Sequence, residues 1–499
     1  MAQPFPDYEQ HDALSLAELV KKRELSAREV VDACIARIEQ RNPRLNALTH
    51  TMFDSARAQA DKPLAGPLAG VPFALKDLIA FFAGEPCSFG SRFFRGFVPD
   101  HDSELVLRYR RAGLVFVGKT NTPELGIMPY TESAELGVCR NPWDTTRTPG
   151  GSSGGAAAAV AAGILPVAHA GDGGGSIRIP AACCGVFGMK PTRGRNPFGP
   201  DFGEAWHGAV VEHVVSRTVR DSAVFLDVTQ GPDVGPPNVA PPPERPYLDE
   251  VARAPGKLRI AYTSRVVVDD PPDAEAIRAL EDAVALCRDL GHEVIEATPD
   301  IEGQKFLDNF RAMIGAETAA DLKLAEKALG KKAAFDDFEV TTWLLAMLGE
   351  QYSAAEFAAA VSYFQQVGRV LGRFFTEYDV LLTPTLGTPP PLVGELAPKG
   401  LDAAIQRTLA KTRAGPLLRH LGALDGVARR IYRFIPYTFL ANVTGTPAMS
   451  VPLYWTPSGV PLGVQFMGKF GDEGLLFRLA AQLESARPWR NRWPALVSD

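Results

Sequence analysis

Apolar and polar positions alternate in blocks that predict helices and strands in turn along the chain. Over residues 15–42 two segments, Ser15-Leu-Ala-Glu18 and Ser26-Ala-Arg-Glu29, carry the serine and glutamate spacing of a helix capping box. After the second, Val30, Ala33, Cys34, Arg37 and Ile38 recur at helical spacing and predict one packed face. Gly70 to Ile79 reads as a short apolar strand interrupted by Lys76 and Asp77. From Asp100 the pattern gives a capped helix, a stop at Gly113 and a strand over Leu114 to Val117. Pro123, Gly126 and Pro129 then punctuate a loop through Thr131, a natural pocket wall.

Ala156 to Ala170 is the longest apolar stretch, and Gly163 and Pro166 break it into a core helix followed by a strand, too short to span a bilayer. A helix beginning at Arg217 to Asp221 continues through Leu226, and the proline-rich residues 231–257 read as a surface connection. Leu258 to Tyr262 and His292 to Glu296 read as strands around a helix over Asp273 to Leu290, with Ile277, Leu280, Val284 and Cys287 on one face. Residues 301–377 and 398–435 predict two helical inserts, the second carrying Arg413, Leu417, Leu418, Leu421 and Arg429, and a buried strand at Tyr378 to Thr385 lies between them. The chain closes with Ala441 to Pro452, a hairpin through Gly459 into Gly463 to Gly468, and an amphipathic helix near Asp472 to Ser485. Such alternation predicts an α/β fold, a sheet covered by helices, with substrate choice residing in the two inserts.

Composition narrows the function classes. With 46% apolar residues, 22% charged residues and a net charge of −6, the chain has no electrostatic footprint for nucleic acid or an anionic membrane. Its first residues, MAQPFPDYEQHDALS, lack a basic segment followed by an apolar run, so a cytoplasmic location is expected. Six cysteines without CxxC spacing argue against a metal site or a disulfide framework, and the adjacent Cys183 and Cys184 read as inert core residues.

The candidate chemistry is concentrated in Gly150 to Lys190, where two glycine-rich loops carry serines. Glycines let backbone amides approach a ligand, and serine hydroxyls beside such amides are what acyl transfer needs. Gly150-Gly-Ser-Ser-Gly-Gly155 satisfies Gly-x-Ser-x-Gly at both Ser152 and Ser153, which would fit an α/β-hydrolase elbow if an acid and one of His207, His213, His292 or His420 completed it. A phosphate cradle would need Gly-x-x-x-x-Gly-Lys-Ser/Thr or Gly-x-Gly-x-x-Gly on a strand, and neither is present. Lys76 lies between apolar residues; a buried lysine loses stability as a cation and can serve as a base.

The second loop, Gly171-Asp-Gly-Gly-Gly-Ser-Ile-Arg-Ile-Pro180, together with the first loop and Gly185-Val-Phe-Gly-Met-Lys-Pro191, resembles the amidase signature family. The resemblance extends to Gly70 to Leu78, Gly118 to Glu124, Arg140 to Trp143, Tyr378 to Pro384 and Asn442 to Pro452, and fades over 231–257 and the inserts. It implies a three-layer α/β/α sandwich around one large mixed sheet, a single domain over residues 1–499 and a core signature over 70–230. It further implies a catalytic set of Ser176 as nucleophile, Ser152 as relay after a cis peptide, and Lys76 as base. Backbone amides of Gly173, Gly174, Gly175 and Ser176 are then the expected oxyanion hole, Ser153 a supporting donor, and Asp172 with Arg178 an ion pair that fixes the loop.

Two departures from the family pattern shape the expectation. Gly173 stands where threonine is usual, and Ile435 stands seven residues before Asn442, where amidotransferase members carry aspartate. The surroundings expected for the pocket are Gly126, Met128, Tyr437 and Phe439, with Phe434 and Trp343 adding to an apolar lining. The expected activity is metal-independent and cofactor-independent hydrolysis of a neutral, largely apolar amide. Within the family the motifs look most similar to hydrolases of nylon oligomers and similar xenobiotic amides. A carbamate or ester hydrolase on the same site, and a glutamyl-tRNA amidotransferase A-type subunit, are the alternatives. The expected partner is a small-molecule amide or carbamate, with no nucleic acid, no membrane, and a monomer or homodimer.

Overall fold

Local chemistry decides where the first helices begin. Ser26 caps helix Ala27–Leu45 through the reciprocal bonds of a capping box, Glu29 N–H to Ser26 Oγ at 3.1 Å and Ser26 N–H to Glu29 Oε2 at 2.8 Å. The expected box at Ser15 does not form. Helix Ala13–Lys21 starts earlier, because Asp12 accepts from Ser15 N–H at 3.0 Å and is the cap itself. A carboxylate is as good a cap as a hydroxyl and lies three residues upstream. The computed structural model describes residues 5–498 except 266, 269, 414, 416, 417 and 419–423. Leu417, His420 and Leu421 fall outside the described residues.

The strands, in chain order, are β1 (Leu48–Thr51), β2 (Pro72–Lys76), β3 (Val115–Thr120), β4 (Glu132–Ser133), β5 (Gly137–Val138), β6 (Val167–Asp172), β7 (Phe187–Lys190), β8 (Val211–Ser216), β9 (Arg259–Tyr262), β10 (Glu293–Glu296), β11 (Val380–Pro384), β12 (Ala448–Val451) and β13 (Val464–Gly468). Eight of them form one sheet in the order β10-β9-β11-β13-β12-β7-β8-β6. It is mixed: β9 is parallel to β10 and β11, while the remaining pairs are antiparallel. A three-stranded sheet, β1-β3-β2, sets β2 directly beside β6, and a small β4-β5 ribbon stands apart.

Helices cover both faces, as two glycines of one strand demonstrate. Gly463, just before β13, and Gly468, at its end, are five positions apart and so point to opposite faces. The first faces Ala182 of helix Arg178–Cys184, and the second faces Leu476 of helix Glu473–Ala486. The result is a helix–sheet–helix sandwich whose main core draws residues from Tyr8 to Leu496.

The two helical inserts are present as expected. Helices Gly303–Leu329, Val340–Gly349 and Ala354–Glu377 fill the first, and Gly400–Thr412 and Asp425–Phe434 belong to the second. They bury a separate apolar cluster that includes Phe93, Leu322, Phe338, Leu344 and Leu409. Glu124 links the inserts to the sandwich, accepting from Ser91 Oγ and from Glu339 N–H, each at 2.7 Å. Among the described residues no helix is long and apolar enough to cross a membrane.

Candidate active site

Three turns bring Lys76 and the serines together. β2 ends at Lys76, whose Nζ donates to Ser152 Oγ at 2.7 Å. Ser152 and Ser153 lie in the turn before helix Gly154–Ala161, and the Gly151–Ser152 peptide is cis. Ser176 lies between β6 and helix Arg178–Cys184. Ser153 ties the two serine turns to each other. Its N–H donates to Ser176 O at 3.3 Å, while its hydroxyl donates to Gly171 O at 3.1 Å and accepts from Gly171 N–H at 3.3 Å.

Charge inside the second loop is balanced and fully buried. Arg178 donates to Asp172 through Nε and Nη2, both at 2.9 Å, and to Gln465 Oε1 and Asn442 Oδ1, both at 2.6 Å. Burial by itself would raise the Asp172 carboxyl, but the Arg178 guanidinium overrides it and holds the group down to about 2. Asp172 also accepts from the amides of Gly175 at 2.7 Å and Ile177 at 3.2 Å. The Gly175 amide is therefore committed to Asp172 and is removed from the expected oxyanion donors. Among the described residues, the amides of Gly173, Gly174 and Ser176 have no partner within the protein.

Burial also acts on Lys76. It lowers the ammonium to about 8, against the opposing pull of the Glu212 and Asp172 carboxylates. A lysine so placed is neutral in a large fraction of molecules at mildly alkaline pH, and its nitrogen lies within hydrogen-bond reach of a serine hydroxyl. The six cysteines are all buried and free, and burial pushes the thiols of Cys183 and Cys184 up. They take no part in this chemistry.

Ser176 opens onto a cavity of about 120 Å³ between the sandwich and the inserts. Gly126, Met128 and Phe439 line it, joined from the inserts by Phe310, Leu345 and Ile431.

The amidase family pattern matches residues 29–477. The chain is 37% identical over 495 residues to 6-aminohexanoate-cyclic-dimer hydrolase of Pseudomonas sp. (strain NK87), covering 98% of this chain and 97% of that one. The chain belongs to the amidase signature family. The putative amidase AmiB2 of Mycobacterium tuberculosis (strain CDC 1551 / Oshkosh) is 38% identical, covering 97% of this chain and 98% of its own. Among solved structures, 6-aminohexanoate cyclic dimer hydrolase complexed with substrate superposes with a TM-score of 0.88 at 36% identity, covering 98% and 99% of the two chains. A bacterial aryl acylamidase superposes with a TM-score of 0.83 at 28% identity, covering 98% of each. This amidase is accordingly a hydrolase acting on amides.

Several expected pocket residues of the amidase lie elsewhere. Tyr437 does not line the cavity; it is buried, and its hydroxyl donates to Ser264 O at 2.9 Å. Phe434 belongs to the main core, and Trp343 packs against Phe338 in the insert core. The turn between Ile435 and Phe439 explains the split, because Ile435 and Phe439 face the cavity while Tyr437 between them faces away. Of the histidines considered for an α/β-hydrolase arrangement, the three among the described residues are engaged with other groups. His213 meets Ser222 Oγ at 2.9 Å, His292 meets Gln482 Oε1 at 2.8 Å and His207 meets Glu317 Oε1 at 2.8 Å.

Sequence reasoning missed Trp206, Phe310, Arg311 and Tyr432, all of which line the cavity. Phe310 and Ile314 stand one helical turn apart, as do Val427 and Ile431, so their spacing marked a shared helix face without marking what it faces. Trp206 carried no such signal. It and His207 have φ values of 49° and 50°, a left-handed backbone unusual for bulky side chains, and Trp206 also walls a second cavity of about 900 Å³.

Proposed function

We propose that this amidase cleaves the C–N bond of neutral, largely apolar amides through an acyl-enzyme, with Ser176 as nucleophile, Ser152 as proton relay and Lys76 as base. The contact between Lys76 Nζ and Ser152 Oγ carries this reading. Neutral Lys76 accepts the Ser152 proton while Ser152 takes the proton of Ser176, whose oxygen bonds to the substrate carbonyl carbon. The oxyanion is held by the free amides of Gly173, Gly174 and Ser176. Reversal of the relay protonates the leaving nitrogen, which breaks the C–N bond and expels a neutral amine. Water, deprotonated along the same route, then cleaves the acyl-enzyme ester and releases a carboxylic acid and Ser176.

The lining supports the substrate class. Among the described residues, Arg311 is the only formally charged side chain around a cavity otherwise dominated by Ile, Leu, Val, Met and Phe. Ile435, in the place of the amidotransferase aspartate, lines it too, so no carboxylate there meets a free amino group. Relatives acting on a cyclic amide dimer and on aryl amides fit the same reading. Carbamates and esters of matching acyl groups pass through the same acyl-enzyme chemistry and are the second substrate class.

The test is a matched set of p-nitroanilide, p-nitrophenyl carbamate and p-nitrophenyl ester sharing one apolar acyl group. We expect Ser176→Ala, Ser152→Ala and Lys76→Ala each to abolish anilide cleavage, with a chelator leaving the wild-type rate unchanged. Full anilide activity in Lys76→Ala would overturn the relay. The order of rates across the three leaving groups defines the substrate preference.

A further inference from the structure

A buried pair behind Lys76 has no role in the relay described above. The Lys76 backbone N–H donates at 3.2 Å to His169 Nδ1, a side chain on the neighbouring β6. A ring nitrogen that accepts carries no proton, so the neutral imidazole holds its hydrogen on Nε2. That nitrogen stands 2.6 Å from Glu212 Oε2, in close polar contact but not aligned as a hydrogen bond, and among the described residues neither atom has a hydrogen-bond partner.

The strand register builds this arrangement. On the antiparallel β6/β8 pair, Gly171 lies opposite Glu212 and Val214 opposite His169. Residues two apart on a strand share a face, so His169 and Glu212 are diagonal neighbours on one side of the pair. Gly171 makes room between them: a Cβ there would come within 2.2 Å of Glu212 Oε1. Lys76, His169 and Glu212 are each at most 2% exposed.

The charges around the lysine single out Glu212. Two carboxylates act on Lys76, Asp172 from β6 and Glu212 from β8. Asp172 is neutralised by Arg178, whereas Glu212 meets no lysine or arginine among the described residues and touches only the neutral ring of His169. On β3, Lys119 donates to Pro86 O and stands 3.8 Å from Asp77, and Tyr109 meets the edge of the His169 ring at 6.0 Å. His213, next to Glu212, is turned to Ser222.

We propose that Glu212, acting through His169, is a positioning residue for Lys76: it fixes the strand end from which the lysine reaches Ser152 and supplies the negative charge that favours the ammonium formed when the lysine takes the serine proton. The catalytic half of this statement rests on the relay proposed above, and the electrostatic half does not. Removing the carboxylate takes a negative charge away from a buried amine and lowers its proton affinity.

The test follows Lys76 directly by NMR titration of protein labelled with [13Cε]lysine, the signal being assigned by its loss in Lys76→Met. The wild-type midpoint is compared with those of Glu212→Gln and His169→Asn, and pH profiles of kcat and KM are measured alongside. In Glu212→Gln we expect the midpoint to fall by about half a unit or more, the acidic limb of kcat/KM to move with it, and kcat to fall while KM holds. Glu212→Asp should recover part of the shift. His169→Asn keeps an acceptor for the Lys76 amide but cuts the link to Glu212, so it should lower kcat while moving the midpoint less. A folded Glu212→Gln protein with an unmoved Lys76 midpoint would overturn the proposal. Should Glu212→Gln not fold, an unchanged kcat and midpoint in His169→Asn would overturn it equally. If the midpoint shifts but activity survives Lys76→Ala, the electrostatic coupling stands and the relay is what fails.

Discussion

At the scale of single residues, burial does the chemical work. A lysine in water is almost fully charged near neutrality, whereas Lys76 is lowered to about 8 because its surroundings cannot solvate an ammonium. If the neutral amine is the active form, kcat/KM rises with pH along a limb centred at about 8. A rate profile on the anilide between pH 6 and pH 10 checks this, and a limb centred near the ordinary carboxylate range instead would point to a different base. Asp172 is also shifted down, but by the Arg178 charge and against burial. Its folded-state pKa is depressed to about 2, so the stability it contributes is complete above the ordinary carboxylate range and is lost as pH falls through that value. Asp172→Asn leaves the buried Arg178 unpaired and should cost about 3–5 kcal/mol at pH 7 in urea unfolding. The difference from wild type should shrink towards pH 2.

At the scale of elements, the serine loops depend on backbone conformations that few residues tolerate. Gly175 has a φ of 129°, and a Cβ on it would lie 2.5 Å from Thr438 Oγ1. Gly175→Ala must push Thr438 away or twist the turn that carries Ser176. We expect a loss of about 100-fold in kcat with only a modest change in thermal stability, read by anilide kinetics and a melting curve. The glycines and serines of these loops were legible in the sequence because each local rule there is strict. Helices and strands with strong periodicity were legible too, including β9, β10 and the helix between them. The start of helix Ala13–Lys21 was not, since Asp12 and Ser15 both satisfy a cap rule and only the fold chooses between them. The cavity was half legible. Gly126 and Met128 belong to a punctuated loop, but Tyr437 and Phe439 differ in direction by a turn that no local pattern reports. Trp206 reaches the site through long-range packing alone, and so it was invisible.

At the scale of the whole molecule, the cavity beside Ser176 sits on a seam between two apolar cores. One wall, Gly126 to Pro129 with Gly174 and Ser176, belongs to the sandwich; the other, including Leu345, Leu348 and Leu424, belongs to the inserts. The main core runs from Tyr8 to Leu496, and the insert core is fastened to it through Phe93, Phe94 and the buried Glu124. From this fastening we expect, as a proposal to be tested, that the inserts do not melt on their own and that the chain unfolds as one unit. Leu344 is fully buried in the insert core and does not line the cavity. Truncation by Leu344→Ala removes packed methyl groups and should destabilise by about 2–5 kcal/mol. If the two cores are one cooperative unit, calorimetry of Leu344→Ala will give a single transition at a lower temperature than wild type, with KM for the anilide nearly unchanged below it. If the inserts form a separate unit, a new low-temperature step will appear instead, and KM will rise across that step because one wall of the pocket is lost before the sandwich unfolds.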